Sequence, residues 1–217
     1  MKTLDEVEPR IPIPGSDTPI GPFNITQSGS YYLTGDRNAT GTAINVFADN
    51  VTIDLNSFAL VGPGSGTSNG IAIDMTTRSN IEIRNGIVRD FGGTGIYENS
   101  SADKGHRVIG VRVLSNGDSG IYLNGSGHLI NDCTASDNGN SATNVIYGIY
   151  ADSGSTVTGN RAYHNGYLAN GDVYGIYLGQ ACLVDQNTAY SNGTGAGAAT
   201  NMTLGCADCA YGVNAAP

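Results

Sequence analysis

Apolar and polar positions alternate along this chain in short bursts, not with a helical period. In Gly120-Ile121-Tyr122-Leu123 the isoleucine and leucine share one face and the tyrosine between them takes the other. That is the period-two pattern of a strand with one buried side. The same phrase stands at Ala43-Ile44-Asn45-Val46, Gly70-Ile71-Ala72-Ile73, Gly95-Ile96-Tyr97-Glu98, Gly148-Ile149-Tyr150-Ala151 and Gly175-Ile176-Tyr177-Leu178, at intervals of 25 to 28 residues. A second apolar burst accompanies each copy: Val51-Thr52-Ile53-Asp54-Leu55, Ile81-Glu82-Ile83, Val108-Ile109-Gly110-Val111, Leu129-Ile130, Val157-Thr158 and Leu183-Val184. Two strands per repeat and a drifting period in the twenties predict an all-β solenoid of about six to seven coils, each stacked on the last at about 4.8 Å.

Turns punctuate the later coils in nearly one form: Leu114-Ser115-Asn116-Gly117, Ser136-Asp137-Asn138-Gly139, Tyr163-His164-Asn165-Gly166 and Tyr190-Ser191-Asn192-Gly193. Asn-Gly supplies the positive φ such a corner needs. An asparagine repeated at one coil position can also bond its amide to the copies above and below, so Asn116, Asn138, Asn165 and Asn192 are read as a structural ladder.

The ends differ. Residues 1–40 lack the phrase and are read as an N-terminal arm and cap, since a solenoid must cover its terminal sheet edge. Thr3 and Glu6 have capping-box spacing for a helical turn over 4–8 before Pro9. Ile11-Pro12-Ile13-Pro14 is extended, and Phe23-Asn24-Ile25-Thr26 and Ser30-Tyr31-Tyr32-Leu33 read as short strands. Residues 41–193 form the solenoid. Residues 194–217, rich in Gly and Ala, form a C-terminal cap or docking segment.

Composition narrows the partners. Nineteen acidic against ten basic residues give a net charge of −9, and no stretch is basic, which argues against nucleic acid and anionic membrane surfaces. No apolar run approaches the roughly 18 residues of a membrane span. The first residues carry no apolar signal region, yet a Gly-, Asn-, Ser-, Thr- and Tyr-rich solenoid has an extracellular character. The expectation is a secreted chain whose signal peptide has been removed. Four cysteines fit that compartment: Cys206 and Cys209 form a local disulfide, or one of them bridges to Cys182, in preference to binding metal. Cys133 serves as a small buried apolar residue.

The Asn-Gly…Gly-Ile-x-Leu rhythm over 41–193 resembles right-handed parallel β-helices of the pectate-lyase-like kind, and Ile25–Leu33 is similar to the entry segment of secreted bacterial members. The resemblance implies a carbohydrate-related role. It does not supply a known catalytic set. Polygalacturonases of the family carry Asn-Thr-Asp, Asp-Asp, Gly-His-Gly and Arg-Ile-Lys, none of which occurs here, and Gly127-His128-Leu129 is a poor echo. Epimerases and some lyases of the fold carry Tyr-Gly-x-Asp-x-His, of which Tyr147-Gly148-Ile149-Tyr150-Ala151-Asp152 keeps only the first two residues.

Candidate chemistry follows from which side chains face out. Tyr97, Tyr122, Tyr150 and Tyr177 form an outward column on four successive coils. Such rings stack on one another, present a flat aromatic strip to sugar rings, or pack against another subunit. Tyr163 and Tyr190 repeat one turn later. For an enzyme, the best polar wall is Glu98 with Lys104, His106 and Arg107, because lyases of this fold need a basic group to take a proton α to a uronate. Calcium remains open as a cofactor: two or three of Asp54, Asp74, Glu82, Glu98, Asp118, Asp132, Asp152 and Asp185 can converge across neighbouring coils. His106, His128 and His164 are read as occupying different coil positions, with no zinc site. The leading expectation is therefore a secreted carbohydrate-associated binding or surface module using the tyrosine column on a polysaccharide or glycan. The alternatives are a self-assembling subunit (trimer or filament) and a polysaccharide lyase or hydrolase with a non-standard site.

Overall fold

The computed structural model describes residues 10–139, 145–167, 169–193, 197–203 and 208–216. The helical turn expected over 4–8 and Cys206 lie outside them. All regular elements among the described residues are strands, gathered into two parallel sheets. The chain winds through about seven turns.

The shorter sheet has eight strands, among them Ile44–Val46, Ile71–Ile73, Ile96–Glu98, Ile121–Leu123, Ile146–Ala151 and Val173–Leu178. Its register is unbroken through the repeated phrase, so Ile96, Ile121, Ile149 and Ile176 stack inward while Tyr97, Tyr122, Tyr150 and Tyr177 stack outward. The inward isoleucines are fully buried against Ile53, Ile83, Val108, Ile130, Val157 and Val184 of the other sheet in one continuous core. Each contributes about 1.5–3 kcal/mol by leaving water.

The longer sheet has fifteen strands and is bent. Coils cross it either in two short segments, such as Leu129–Asn131 and Thr134–Ser136, or in one longer strand, Ile81–Arg89 or Arg107–Leu114, and each of these crossings turns at one left-handed residue. Those corner residues are Asn85, Gly110, Asp132, Gly159 and Gln186, with φ between 54° and 70°. Glycine, asparagine and aspartate tolerate that region, which is why the corner recurs without a strict motif.

The glycine that opens the phrase has a packing reason. A Cβ on Gly148 would sit 2.5 Å from the Gly175 carbonyl oxygen and 2.6 Å from Asn165 Nδ2. Neighbouring coils and the asparagine ladder fill that space, so the backbones can approach only where no side chain stands.

Winding extends past the repeat-bearing stretch in both directions. Ile11–Ile13 pairs in parallel with Gly29–Leu33, and Phe23–Ile25 pairs with Ile44–Val46. At the far end Ala199–Met202 and Ala210–Tyr211 add to the two sheets. Ladder pairing needs an extended backbone, not the phrase itself. Pro12, which cannot donate, sits on the outermost strand, where a missing N–H is tolerated.

Candidate functional site

The outer face of the shorter sheet carries tyrosines in two adjoining columns. Centroids lie 5.7 Å apart for Tyr97–Tyr122, 4.5 Å for Tyr122–Tyr150 and 5.6 Å for Tyr150–Tyr177, with the latter two pairs within 15° of parallel. Beside them Tyr147 and Tyr174 stack at 5.6 Å and 16°. A tilted contact, Tyr147 to Tyr150 at 5.0 Å, and an edge-on one, Tyr174 to Tyr177 at 5.0 Å, tie the columns together. All six rings are partly buried. Their order follows from the parallel register: each phrase places its tyrosine directly over the previous one.

This geometry changes what the column can offer. A sugar ring between two aromatic rings needs about 3.5–4 Å on each side, more room than any pair in the stack leaves. The column thus presents ring edges and phenolic hydroxyls, not a flat strip of faces. Burial, and then Asp152 and the neighbouring phenols, push Tyr150 upward, and burial with adjacent phenols pushes Tyr147 up to about 12. These hydroxyls keep their hydrogens at any ordinary pH and serve as both donors and acceptors.

Glu98 takes a different position from the tyrosines. It occupies the inward site filled by Leu123, Ala151 and Leu178 on the following coils, and it is fully buried. Oxygen and nitrogen atoms of Glu98, Asp103 and His106 lie within 4.8 Å of one another. Burial pushes the Glu98 carboxyl up to about 8; the Ser100 amide, which donates to it, acts the other way, and Asp103 pushes it further up. Its Oε2 is buried with no hydrogen-bond partner among the described residues. A neutral carboxylic acid suits this site at pH 7.

The histidines correct the sequence reading. His106 and His128 occupy the same coil position, their rings stacked at 5.2 Å. Ile81 N–H donates to His106 Nδ1 at 3.3 Å, and His106 N–H donates to His128 Nδ1 at 3.2 Å. The next position repeats the device with Ser155 Oγ, which accepts from His128 N–H at 3.1 Å. Each side chain thus satisfies a backbone donor of the preceding coil. His128 Nε2 donates to the Asn124 carbonyl at 2.7 Å, and burial lowers both imidazoles, His128 to about 4. His164 stands apart on the surface, 3.9 Å from Asp137.

Lys104 and Arg107 are exposed, whereas Glu98 and His106 are enclosed, so the four residues do not share one wall. Arg107 pairs with Glu82 at 2.5 Å, Glu82 with Arg84 at 3.1 Å, and Arg84 with Asp54 at 3.2 Å. These charges neutralise one another across neighbouring coils of the longer sheet. Asp74 is lowered, chiefly by the Thr76 hydroxyl and then by Arg78. Calcium takes about six to eight oxygen ligands. The Glu98–Asp103–His106 set offers two carboxyl groups and an imidazole, and Asp103 Oδ1 already accepts from the Arg78 amide at 2.7 Å. That set does not fit calcium.

A family model described as a right handed beta helix region matches residues 36–207. The chain belongs to the right-handed β-helix family. No curated protein matches it. Among solved structures, the β-helix is similar to the A-module of the Azotobacter vinelandii mannuronan C-5 epimerase AlgE4, with a TM-score of 0.55 and 14% identity over 89% of this chain and 62% of that one. At that identity the likeness is one of fold.

Within the β-helix the asparagines run as a closed network. Asn138 Nδ2 donates to Asn165 Oδ1 at 2.9 Å and to the Val113 carbonyl at 3.1 Å, while its Oδ1 accepts from Asn116 Nδ2 and N. Asn165 bonds Asn192 in the same way, and Asn192 bonds Asn201. A second ladder, Asn160–Asn187–Asn214, lies outside the Asn-Gly pattern; its signal in the sequence is the recurring Asn-x-Ala at 160, 187 and 214. The signal for the Tyr147–Tyr174 column is Tyr-Gly-Ile-Tyr, which stands twice in succession, outside the four-residue phrase. Cys209 is in a disulfide, while Cys182 keeps a free thiol, which removes the alternative bridge to Cys182. The Cys182 amide donates to Cys209 Sγ at 3.0 Å, at the corner position that the histidines and Ser155 fill on earlier coils. Cys133 is buried and free, its thiol pushed up to about 12 by burial.

Proposed function

We propose that this β-helix is a secreted polysaccharide-binding module that holds a glycan along the helix axis on the tyrosine face of its shorter sheet. The observation that carries the reading is the pair of tyrosine columns. It sets phenolic hydroxyls at the coil spacing on a rigid sheet, beside the outward polar groups of Asn99, Asn124 and Asp152 at the strand ends. A polysaccharide is a periodic array of hydroxyl donors and acceptors, and a periodic array of the same groups meets it without ordering loops. Partly buried aromatic edges add apolar contact to the C–H faces of the sugars. The structural resemblance to a carbohydrate-active module is consistent with this reading at the level of fold.

The test is retention on polysaccharide. Tyr122→Ala with Tyr150→Ala is expected to weaken retention on immobilised alginate, pectate or cellulose by at least about tenfold, a loss of about 1.4 kcal/mol. Circular dichroism should remain that of a β-sheet. Retention equal to the wild type on the polysaccharide that binds it would remove the tyrosine face from the account.

A further inference from the structure

The outward tyrosine column stops abruptly. Tyr97 stacks on Tyr122, but the register places Ala72 on its other side, and beyond Ala72 stands Asn45. Among the described residues, the Tyr97 ring meets no second aromatic ring. Its outer face looks over a methyl group where the next coil would otherwise supply a side chain. On the far side, Asn45 Nδ2 donates to Asn24 Oδ1 at 3.0 Å, so a short amide ladder ends there too. One tooth is missing between two ladders.

The dimensions of the gap are set by the coil rise. Tyr97 and Asn45 are two coils apart, about 9.5 Å. A saturated ring in contact at about 3.5–4 Å with each wall needs about 7–8 Å, so the gap admits one ring and is too narrow for two. The floor is Ala72. Along the strand end, the outward side chains on these coils are Phe47, which is 41% exposed, and Asp74, whose Oδ2 accepts from Arg78 Nη2 at 2.8 Å. Phe47 offers an apolar edge, and the Asp74 carboxylate offers acceptors to ring hydroxyls.

We propose that this gap is a subsite for a single pyranose ring, its C–H face against Tyr97, its rim hydroxyls hydrogen-bonded to Asn45 and Asp74. The inference rests on the polysaccharide-binding reading and sharpens it. It names the upstream end of the column, where Tyr97 presents a ring face and not an edge. A glycan lying on the tyrosine hydroxyls would be anchored and held in register by the unit in this slot.

The experiment fills the tooth from either side. Ala72→Tyr continues the tyrosine stack, and Ala72→Asn continues the amide ladder. Calorimetric titration would use hexamers of mannuronate, galacturonate and glucose as probes. For whichever probe binds the wild type, both variants are expected to lose about tenfold or more in affinity. Tyr97→Ala should lose as much and Tyr97→Phe little, because stacking does not need the hydroxyl. Thermal melts identify any variant that fails to fold, and the Asn substitution, the smaller of the two, then carries the test. Folded Ala72 variants that bind as tightly as the wild type overturn the subsite, while the tyrosine-face reading stands or falls with Tyr122 and Tyr150. A wild type that binds none of the three probes overturns both.

Discussion

Glu98 sits where every logic of the repeat asks for an apolar side chain, and its surroundings explain how it is accommodated. The carboxyl is neutral because water is excluded, and Asp103 beside it disfavours a second charge. This has a consequence for stability. In the unfolded chain the group ionises near 4.5, in the fold near 8. Between those values the unfolded state releases a proton that the folded state keeps, so stability falls as pH rises, by up to about 1.4 kcal/mol per pH unit. Above 8 the slope vanishes. His128 has the opposite sign: its value drops from 6.5 to about 4, so its contribution is lost as pH falls through that range. The interval from 6.5 to 8 isolates Glu98. Thermal melts across it should show the wild type losing stability, while Glu98→Gln stays flat and is the more stable of the two at pH 8. A wild-type melting temperature that does not move over that interval would mean the carboxyl is not held neutral.

At the scale of the element, the ladders do what the tyrosines do not: they close their hydrogen bonds internally. Asn138 uses both amide hydrogens and both acceptor positions of its oxygen within the coil stack. Asn138→Ala would leave the Val113 carbonyl, Asn165 Oδ1 and two Asn116 donors short of partners. A loss of about 3 kcal/mol in urea unfolding is expected, and Asn138→Asp should not rescue it, since a carboxylate cannot donate. A loss below about 1 kcal/mol would show that water replaces the ladder. The two strands per coil and the first ladder were legible because their spacing is rigid: strand alternation and Asn-Gly survive small changes in coil length. The shared position of His106 and His128 was not. The turn after Glu98 is longer than the turn after Leu123, so the two histidines fall 22 residues apart while their glycines fall 25 apart. Counting from the phrase then assigns them to different corners. The enclosure of Glu98 was readable in principle from its place in the phrase, but its neighbours Lys104 and Arg107 drew it toward a surface loop. Winding at either end was hidden for a related reason, since parallel pairing leaves no residue-type signature when prolines and alanines carry it.

Across the whole molecule, the stack of coils has unlike long faces. One is the bent sheet, where Arg107, Glu82, Arg84 and Asp54 neutralise one another. The other carries six tyrosines in mutual contact and, at their upstream end, the open face of Tyr97. The pair Tyr163–Tyr190, stacked at 5.3 Å on the bent sheet, provides an internal control of the same chemistry on the other face. The most direct test is a nuclear magnetic resonance titration of protein carrying ring-labelled tyrosine with mannuronate, galacturonate and glucose hexamers. The account predicts that one of these shifts the ring signals of Tyr97, Tyr122, Tyr150 and Tyr177 and leaves Tyr163 and Tyr190 in place. Shifts confined to Tyr163 and Tyr190, or none with any of the three, would contradict it.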